Sequence, residues 1–213
     1  MWKSLYYNVF TEILNPVALH FILKMVGGNT IGGREPAEAF GSVLSKSQIR
    51  ALIKNKRPLI REMIDVNTQL QSNGVDLTVK RIETIVDAGC IDFGNNERKL
   101  SNTAGMDFHG DWLFLPPGSY KVIFNEIVHL PADIIAIGAP RTSLVRCGVT
   151  LETGVWDAGY EGRSESLLVV FNEKGFYLKK NARILHLVFI KLSGKIAAGS
   201  SGYDGIYQSE NIG

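Results

Sequence analysis

Residues 120–130 read YKVIFNEIVHL, a short run dense in valine, isoleucine and aromatic side chains. Branched and aromatic residues of this kind favour the pleated, half-buried surface of a sheet. The run is too short for a long crossover helix, and prolines close it on both sides, in LPPGS before and LPAD after. Segments of the same character recur outward from it: VDLTV at 75–79, DIIAIG at 133–138, LLVVF at 167–171 and ILHLVFIKL at 184–192. Gly, Pro, Asn and Asp turns separate them, and no helix of crossover length lies between. Strands spaced in this way predict an all-β body, a sandwich, jelly roll or barrel. No internal repeat is visible, so the β body is one unit.

One short helix precedes the strands. In SKSQIRALIKNK, residues 45–56, Ile49, Leu52 and Ile53 fall at helical spacing, the Ser45 hydroxyl suits an N-cap, and Pro58 ends the pattern. Ahead of it, residues 1–42 form an aromatic and aliphatic segment followed by the glycine-rich run GGNTIGGREP, which reads as a linker. These 42 residues are expected to be an added element, or an upstream extension of the reading frame with Val43 as the start.

Composition excludes several classes of function. The chain has 213 residues, 45% of them apolar, enough for one core, and a net charge of +2 with both signs mixed. No broad field exists to hold nucleic acid or an anionic membrane. The most apolar run, PVALHFILKMV at 16–26, is too short to span a bilayer and carries His20 and Lys24. A soluble, cytoplasmic protein is expected, with Cys90 and Cys147 as buried free thiols. Phosphate-loop, HExxH and CxxC motifs are absent, as is a GxGxxG fingerprint after a strand. The four histidines are scattered singly, which suits structural or exposed roles better than metal ligation.

What remains is a set of polar turns. QSNGVDLTV sets Asp76 between a glycine turn and a strand. GAPRTSLVRCG, 138–148, offers Arg141, Thr142 and Ser143, one fixed cation with two hydroxyls and turn amides suited to gripping phosphate oxygens. GVWDAGYEGR, 154–163, holds Asp157 and Tyr160 between glycine-bounded turns. The tail GSSGYDGIYQSENIG, 199–213, carries Tyr203, Tyr207 and Gln208, residue types that a closing lid over a base and its phosphates would need.

In this order the turns resemble the motifs of the deoxyuridine triphosphatase and deoxycytidine triphosphate deaminase superfamily, most closely its archaeal-type dUTPase branch. NGVDL resembles the first motif, APRTSL the second, GVWDAGYEG the third, KKNARILHLVF the fourth and GYDGIYQ the closing motif. The resemblance runs from about Val43 to the C-terminus. It implies a distorted β jelly roll with a short N-terminal helix, assembled as a homotrimer with sites at subunit boundaries, that hydrolyses dUTP to dUMP and pyrophosphate with magnesium.

Carried over to this chain, Asp157 is implied as the general base for the attacking water, and Arg141, Thr142 and Ser143 as holders of the phosphate chain. Tyr160 is implied to pack on the deoxyribose, and Asp76 to approach magnesium through water. Uracil is implied to be read by backbone in the hairpin through Thr153 and Gly154. A flexible closing segment is expected from about residue 199, with Tyr203 and Tyr207 stacking and Gln208 contacting phosphate.

The fourth motif departs from the pattern, with Asn181 and Ala182 for Gly-Asp and His186 for Gln. The closing motif lacks the usual Arg and Phe and has Ile206 in place of Lys. Two other readings accompany the main one. In deaminase members a glutamate serves as proton shuttle on the strand after the third motif. Here that place holds Leu167 or Val169, with Glu165 an even offset from Leu167 and so on the same strand face, while Arg146 matches an arginine that deaminases keep. A catalytically silent nucleotide-binding trimer is the third.

Overall fold

The computed structural model describes residues 41–194 and 202–212. In chain order the elements are β1 (Ser42–Val43), α1 (Lys46–Ile53), β2 (Ile60–Arg61), α2 (Val66–Gln69), β3 (Val75–Ile85), β4 (Thr103–Gly105), β5 (Trp112–Leu115), β6 (Gly118–Phe124), β7 (Ile127–His129), β8 (Ile134–Pro140), α3 (Thr142–Arg146), β9 (Val149–Glu152), β10 (Val155–Trp156), β11 (Glu161–Gly162), β12 (Glu165–Val170), β13 (Phe176–Lys179) and β14 (Arg183–Lys191). The fold is mostly antiparallel β, as the turn-separated apolar segments predict. Residues 1–40 and 199–201, on which the expected N-terminal extension and the start of the closing segment fall, lie outside the described residues.

The expected helix forms as α1. The Gln48 side chain reaches back to the Ser45 N–H at 2.9 Å, which satisfies a donor that the first helical turn leaves open. Ile49 is fully buried, with Leu52 and Ile53 packed against the same core.

YKVIFNEIVHL forms two strands rather than one. Asn125 and Glu126 interrupt it, and Glu126 turns inward to complete burial. Its carboxylate accepts from the Thr78 N–H at 2.9 Å, the Thr78 hydroxyl at 2.6 Å and the Gln69 amide at 2.7 Å. Burial nevertheless pushes its pKa up, since three donors do not replace full hydration of a charge.

The main sheet has the order β10-β8-β14-β3-β6-β12-β9, with β1 beside β14 and β4 beside β3. Strand β3 is its pivot. The first half of β3 pairs with β14, Asp76 opposite His186, and the second half with β6 and β4, with an irregularity between Val79 and Arg81. Such an offset lets a sheet curl. Two small ribbons, β11-β7-β2 and β13-β5, complete the body. Alternation is regular in β12, where Ser166, Leu168 and Val170 are buried and Glu165, Leu167 and Val169 are half-buried. Phe124 and Phe189 are among the largest side chains taken fully out of water, each gaining about 1.5–3 kcal/mol by transfer.

Both cysteines are free and exposed, which corrects the expectation of buried thiols. Cys147 follows α3 as its C-cap, and Cys90 sits in a short bridge with Lys99, so neither is on a core-facing strand position. Among the described residues no helix is long and apolar enough to cross a membrane.

Candidate active site

A cavity forms where two strands part. The β9–β12 ladder runs from Val149 opposite Val170 to Glu152 opposite Leu167 and stops there. Beyond that point one arm leaves for β8, with Val155 opposite Ile137 and Trp156 opposite Ala136. The other arm stays on β6, with Glu165 opposite Ile123 and Ser166 opposite Val122. Between the arms opens a space of about 490 Å³ bordered by Gly154, Asp157, Tyr160, Glu165, Tyr203 and Tyr207. One hydrogen bond ties the arms, from the buried Trp156 indole N–H to the Ser164 hydroxyl at 2.8 Å.

The parting exposes a strand edge toward the cavity. The Phe124 N–H donates to the Ser164 carbonyl at 3.3 Å, so Ser164 faces β6 and its neighbours Arg163 and Glu165 face the opposite way. Arg163 is engaged on that side: its N–H donates to the Glu210 carbonyl at 3.0 Å and its carbonyl accepts from the Asn211 amide at 3.1 Å. Leu167 pairs with Glu152. Between them, the N–H and C=O of Glu165 point into the cavity, where no strand of the described residues pairs with them. The buried Ser166 hydroxyl in the same wall also has no hydrogen-bond partner among the described residues.

Asp157 and Tyr160 are held in a tight turn. The Tyr160 N–H donates to the Asp157 carbonyl at 3.1 Å, and Gly159 takes a φ of +89°, which a side chain would resist. Asp157 itself is exposed. The Tyr160 ring is buried, meets Tyr203 edge-on at 5.7 Å, and its hydroxyl donates to Glu210 at 2.7 Å. Burial, reinforced by the Glu210 carboxylate, pushes the Tyr160 pKa far up, so its hydroxyl stays protonated.

The tail is docked along this turn. The Tyr203 N–H donates to Ala158 and the Ser209 N–H to Glu161, at 2.8 and 2.7 Å. Gln208 bonds the Gly159 carbonyl at 3.1 Å and the Glu161 N–H at 2.9 Å, so both ends of its amide are engaged with the hairpin backbone. Arg163, outside every sequence-derived site, anchors the tail: its guanidinium bonds the Asn211 carbonyl at 3.0 Å, Glu62 at 2.7 Å and the Asn125 carbonyl.

Below the cavity, Lys121 bridges Glu83 at 2.9 Å and Glu165 at 3.2 Å. Burial alone would raise the Glu83 carboxyl, but hydrogen bonds from Thr103, Lys121 and Arg81 outweigh it and hold the pKa at about 2. Sequence reasoning missed Lys121 and Glu83, because they meet only through pairing of β3 with β6.

Arg141 borders a second concavity, of about 450 Å³, together with Thr68, Lys179, Lys180 and Arg183, and the buried Asp76 lies behind the two arginines. Asp76 forms an ion pair with Arg141 Nε at 3.0 Å, accepts hydrogen bonds from Arg183 Nη1 at 3.2 Å and His186 Nδ1 at 2.9 Å, and its side chain is only 3% exposed. Both carboxylate oxygens are therefore taken. Among the described residues no group of three or more His, Cys, Asp or Glu is arranged to hold a metal ion, and with both Asp76 oxygens engaged by Arg141, Arg183 and His186 its donor set does not fit direct coordination of magnesium. Thr142 and Ser143 are exposed on α3 beside Arg141, and Thr153 is half-buried at the turn from β9 to Gly154. Within one chain, then, the third-motif and tail residues gather in one cavity, while Arg141 of the second motif and the fourth-motif residues border another, with Asp76 buried against them.

A family model described as dCTP deaminase-like matches residues 43–192. The chain belongs to that family. Within it, curated relatives from Methanosarcina mazei and Methanosarcina acetivorans are 53% and 52% identical over 171 residues, which is 80% of this chain and 98% of each relative. Both are named probable deoxyuridine 5′-triphosphate nucleotidohydrolase. The superfamily and branch expected from the motifs are thus borne out. The crystal structure of a 2′-deoxycytidine 5′-triphosphate deaminase from Agrobacterium tumefaciens matches with a TM-score of 0.55 at 20% identity, over 72% of this chain. The chain spans about half the length of that deaminase, 49%; at this identity the likeness speaks to fold alone.

Proposed function

We propose that the protein is a dUTP pyrophosphohydrolase, splitting dUTP to dUMP and pyrophosphate. The observation that carries this reading is the parted hairpin: an unpaired peptide edge at Glu165 beside an exposed Asp157, in a chain half identical to proteins named dUTP nucleotidohydrolases. One N–H donor next to one C=O acceptor matches the alternating carbonyl and imino N–H of uracil. Cytosine presents an amine and a bare ring nitrogen at the same edge, so it would leave buried backbone groups unpaired at about 1–3 kcal/mol each. Gly154, across the cavity, carries no side chain to block the base.

Asp157 acts as the general base. A carboxylate is ionised near neutral pH, orients the water that attacks the α-phosphorus and accepts its proton as the bond forms, a contribution of about 10² to 10⁴ in rate. Tyr160, fixed by Glu210 and Tyr203, packs against the deoxyribose and leaves no room for a 2′-hydroxyl. Arg141, Thr142 and Ser143 hold the phosphate chain and stabilise charge on the departing pyrophosphate. Because Arg141 borders one concavity and Asp157 and Tyr160 another within one chain, we place the complete site at a boundary between subunits of a homotrimer. The body is read as a distorted jelly roll, working in the cytoplasm without a nucleic-acid partner. We assign no step to magnesium.

Deamination of dCTP is disfavoured at the place where a proton shuttle is needed. Leu167 carries no proton, and the Glu165 carboxylate that shares its strand face is engaged by Lys121 and Asn211. The deciding experiment incubates the purified protein with magnesium and, separately, dUTP, dCTP, dTTP and UTP. Release of dUMP and pyrophosphate from dUTP alone is expected. A uracil nucleotide formed from dCTP would replace this reading with deamination, and saturable dUTP binding without turnover would replace it with a silent binding trimer.

A further inference from the structure

The Asp76 cluster is organised around its cations. Two guanidinium groups converge on one buried oxygen, Asp76 Oδ2, from Arg141 on the loop after β8 and from Arg183 at the start of β14. Each is fixed a second time by backbone: Arg141 Nη1 donates to the Arg183 carbonyl at 3.2 Å, and Arg183 Nη1 to the Thr68 carbonyl at 2.8 Å. Two cations this close repel each other, and a carboxylate between them offsets that repulsion. The exposures are unequal. Both arginine side chains are 30% exposed and the carboxylate 3%, so the remaining guanidinium donors face the concavity that Lys179 and Lys180 also border.

His186 completes the arrangement from the far side. Its Nδ1 donates to Asp76 Oδ1 at 2.9 Å, which fixes the carboxylate plane. The ring lies against Gly74, where an added Cβ would stand 2.5 Å from Nε2 and 2.5 Å from the Leu187 carbonyl. Any side chain there would expel the imidazole.

We propose that Asp76, oriented by His186, is a positioning residue that aims Arg141 and Arg183 at the phosphate chain of the nucleotide, and that it is not a holder of magnesium. The proposal rests on the dUTP reading above. It assigns the fourth motif a phosphate contact through Arg183 despite Asn181 and Ala182. It also makes His186 the equivalent of an amide donor, since a glutamine at the same position can present an N–H to the same oxygen. The pair acts through geometry: a planar guanidinium binds phosphate oxygens strongly only when its fork is aligned with them.

The test titrates inorganic pyrophosphate and dUMP into the full-length protein calorimetrically, in the presence of a chelator, and measures dUTP turnover against magnesium concentration. Asp76→Asn is expected to weaken metal-free pyrophosphate binding by about tenfold or more, the effect of misaligning a charge-assisted hydrogen bond. The affinity for dUMP and the magnesium concentration for half-maximal turnover stay unchanged. His186→Leu weakens pyrophosphate binding in the same direction, and His186→Gln restores it. Unaltered pyrophosphate affinity in Asp76→Asn with a raised magnesium requirement would overturn the proposal in favour of a metal role. Should Asp76→Asn fail to fold, equal pyrophosphate affinity in His186→Leu and His186→Gln overturns it. Wild-type protein that binds pyrophosphate but does not hydrolyse dUTP refutes the functional reading instead, and leaves the positioning role to the pyrophosphate titrations.

Discussion

The cavity between the parted arms and the cluster around Asp76 differ in what they leave unpaired. In the cavity a peptide edge at Glu165 and a buried hydroxyl at Ser166 have no partner among the described residues. In the cluster, by contrast, both oxygens of the buried Asp76 carboxylate are engaged before any ligand arrives. Reading a neutral base is a matter of donor and acceptor matching, so open backbone groups discriminate by what a wrong base fails to satisfy. Holding a triphosphate is a matter of charge, and cations crowded together need an internal anion to stay in place.

The largest expected effect tests the chemistry of the cavity. Asp157→Asn is expected to lower turnover of dUTP by about 10² to 10⁴ while leaving dUTP binding intact, because only the proton acceptor is removed; steady-state kinetics beside calorimetric binding checks it. Turnover at the wild-type rate would remove the reason for calling the cavity the reacting end.

Next comes the wall of the cavity. Arg163→Met deletes a buried cation with contacts to Glu62, Asn125 and Asn211. Because Glu62 is 57% exposed, it returns to water rather than remaining a stranded charge, and the expected loss is about 1–3 kcal/mol instead of the larger cost of a fully buried pair. Tail release accompanies it, read as faster chymotrypsin cleavage at Tyr203 and Tyr207; a tail equally protected in the variant would show that Arg163 is not its anchor.

Ser164→Ala probes the tie between the arms. It leaves the buried Trp156 N–H without its acceptor, an expected loss of about 1–2 kcal/mol in denaturant unfolding. An unchanged midpoint would mean that the arms are spaced by packing alone.

The smallest effect at neutral pH concerns Glu83. Its folded carboxyl sits at about 2 against an ordinary 4.5, so its ionisation stabilises the fold above about pH 4.5. That contribution is lost as pH falls from there through about 2. Glu83→Gln should therefore flatten the acid limb of the stability curve in that window, and an identical limb in both proteins would count against the Lys121 bridge.

Much of the local structure was legible in the residues. The spacing of Ile49, Leu52 and Ile53 marks α1, and the segments around Leu77, Ile135, Leu168 and Leu187 are strands because branched apolar runs between turns have few alternatives. YKVIFNEIVHL reads as one segment, yet it divides at Asn125 and Glu126, where a carboxylate finds three donors contributed by residues far away in the chain. Arg163 carried no signal, since an arginine after a glycine turn is ordinary on a surface; only the return of the tail buries it. Cys90 and Cys147 are exposed for the converse reason, that their turns are not covered by the body described.

By itself, the sequence determined the main strands, the first helix, the family and the residue types available for the reaction, because side-chain periodicity and turn chemistry act over a few neighbours. The tertiary structure decided which strand edge stays open, that Asp76 is surrounded by Arg141, Arg183 and His186, and that Arg141 and Arg183 border a different concavity from Asp157 and Tyr160. Those outcomes depend on where partner strands join and leave, and pairing between residues a hundred positions apart leaves no mark in the local pattern of either.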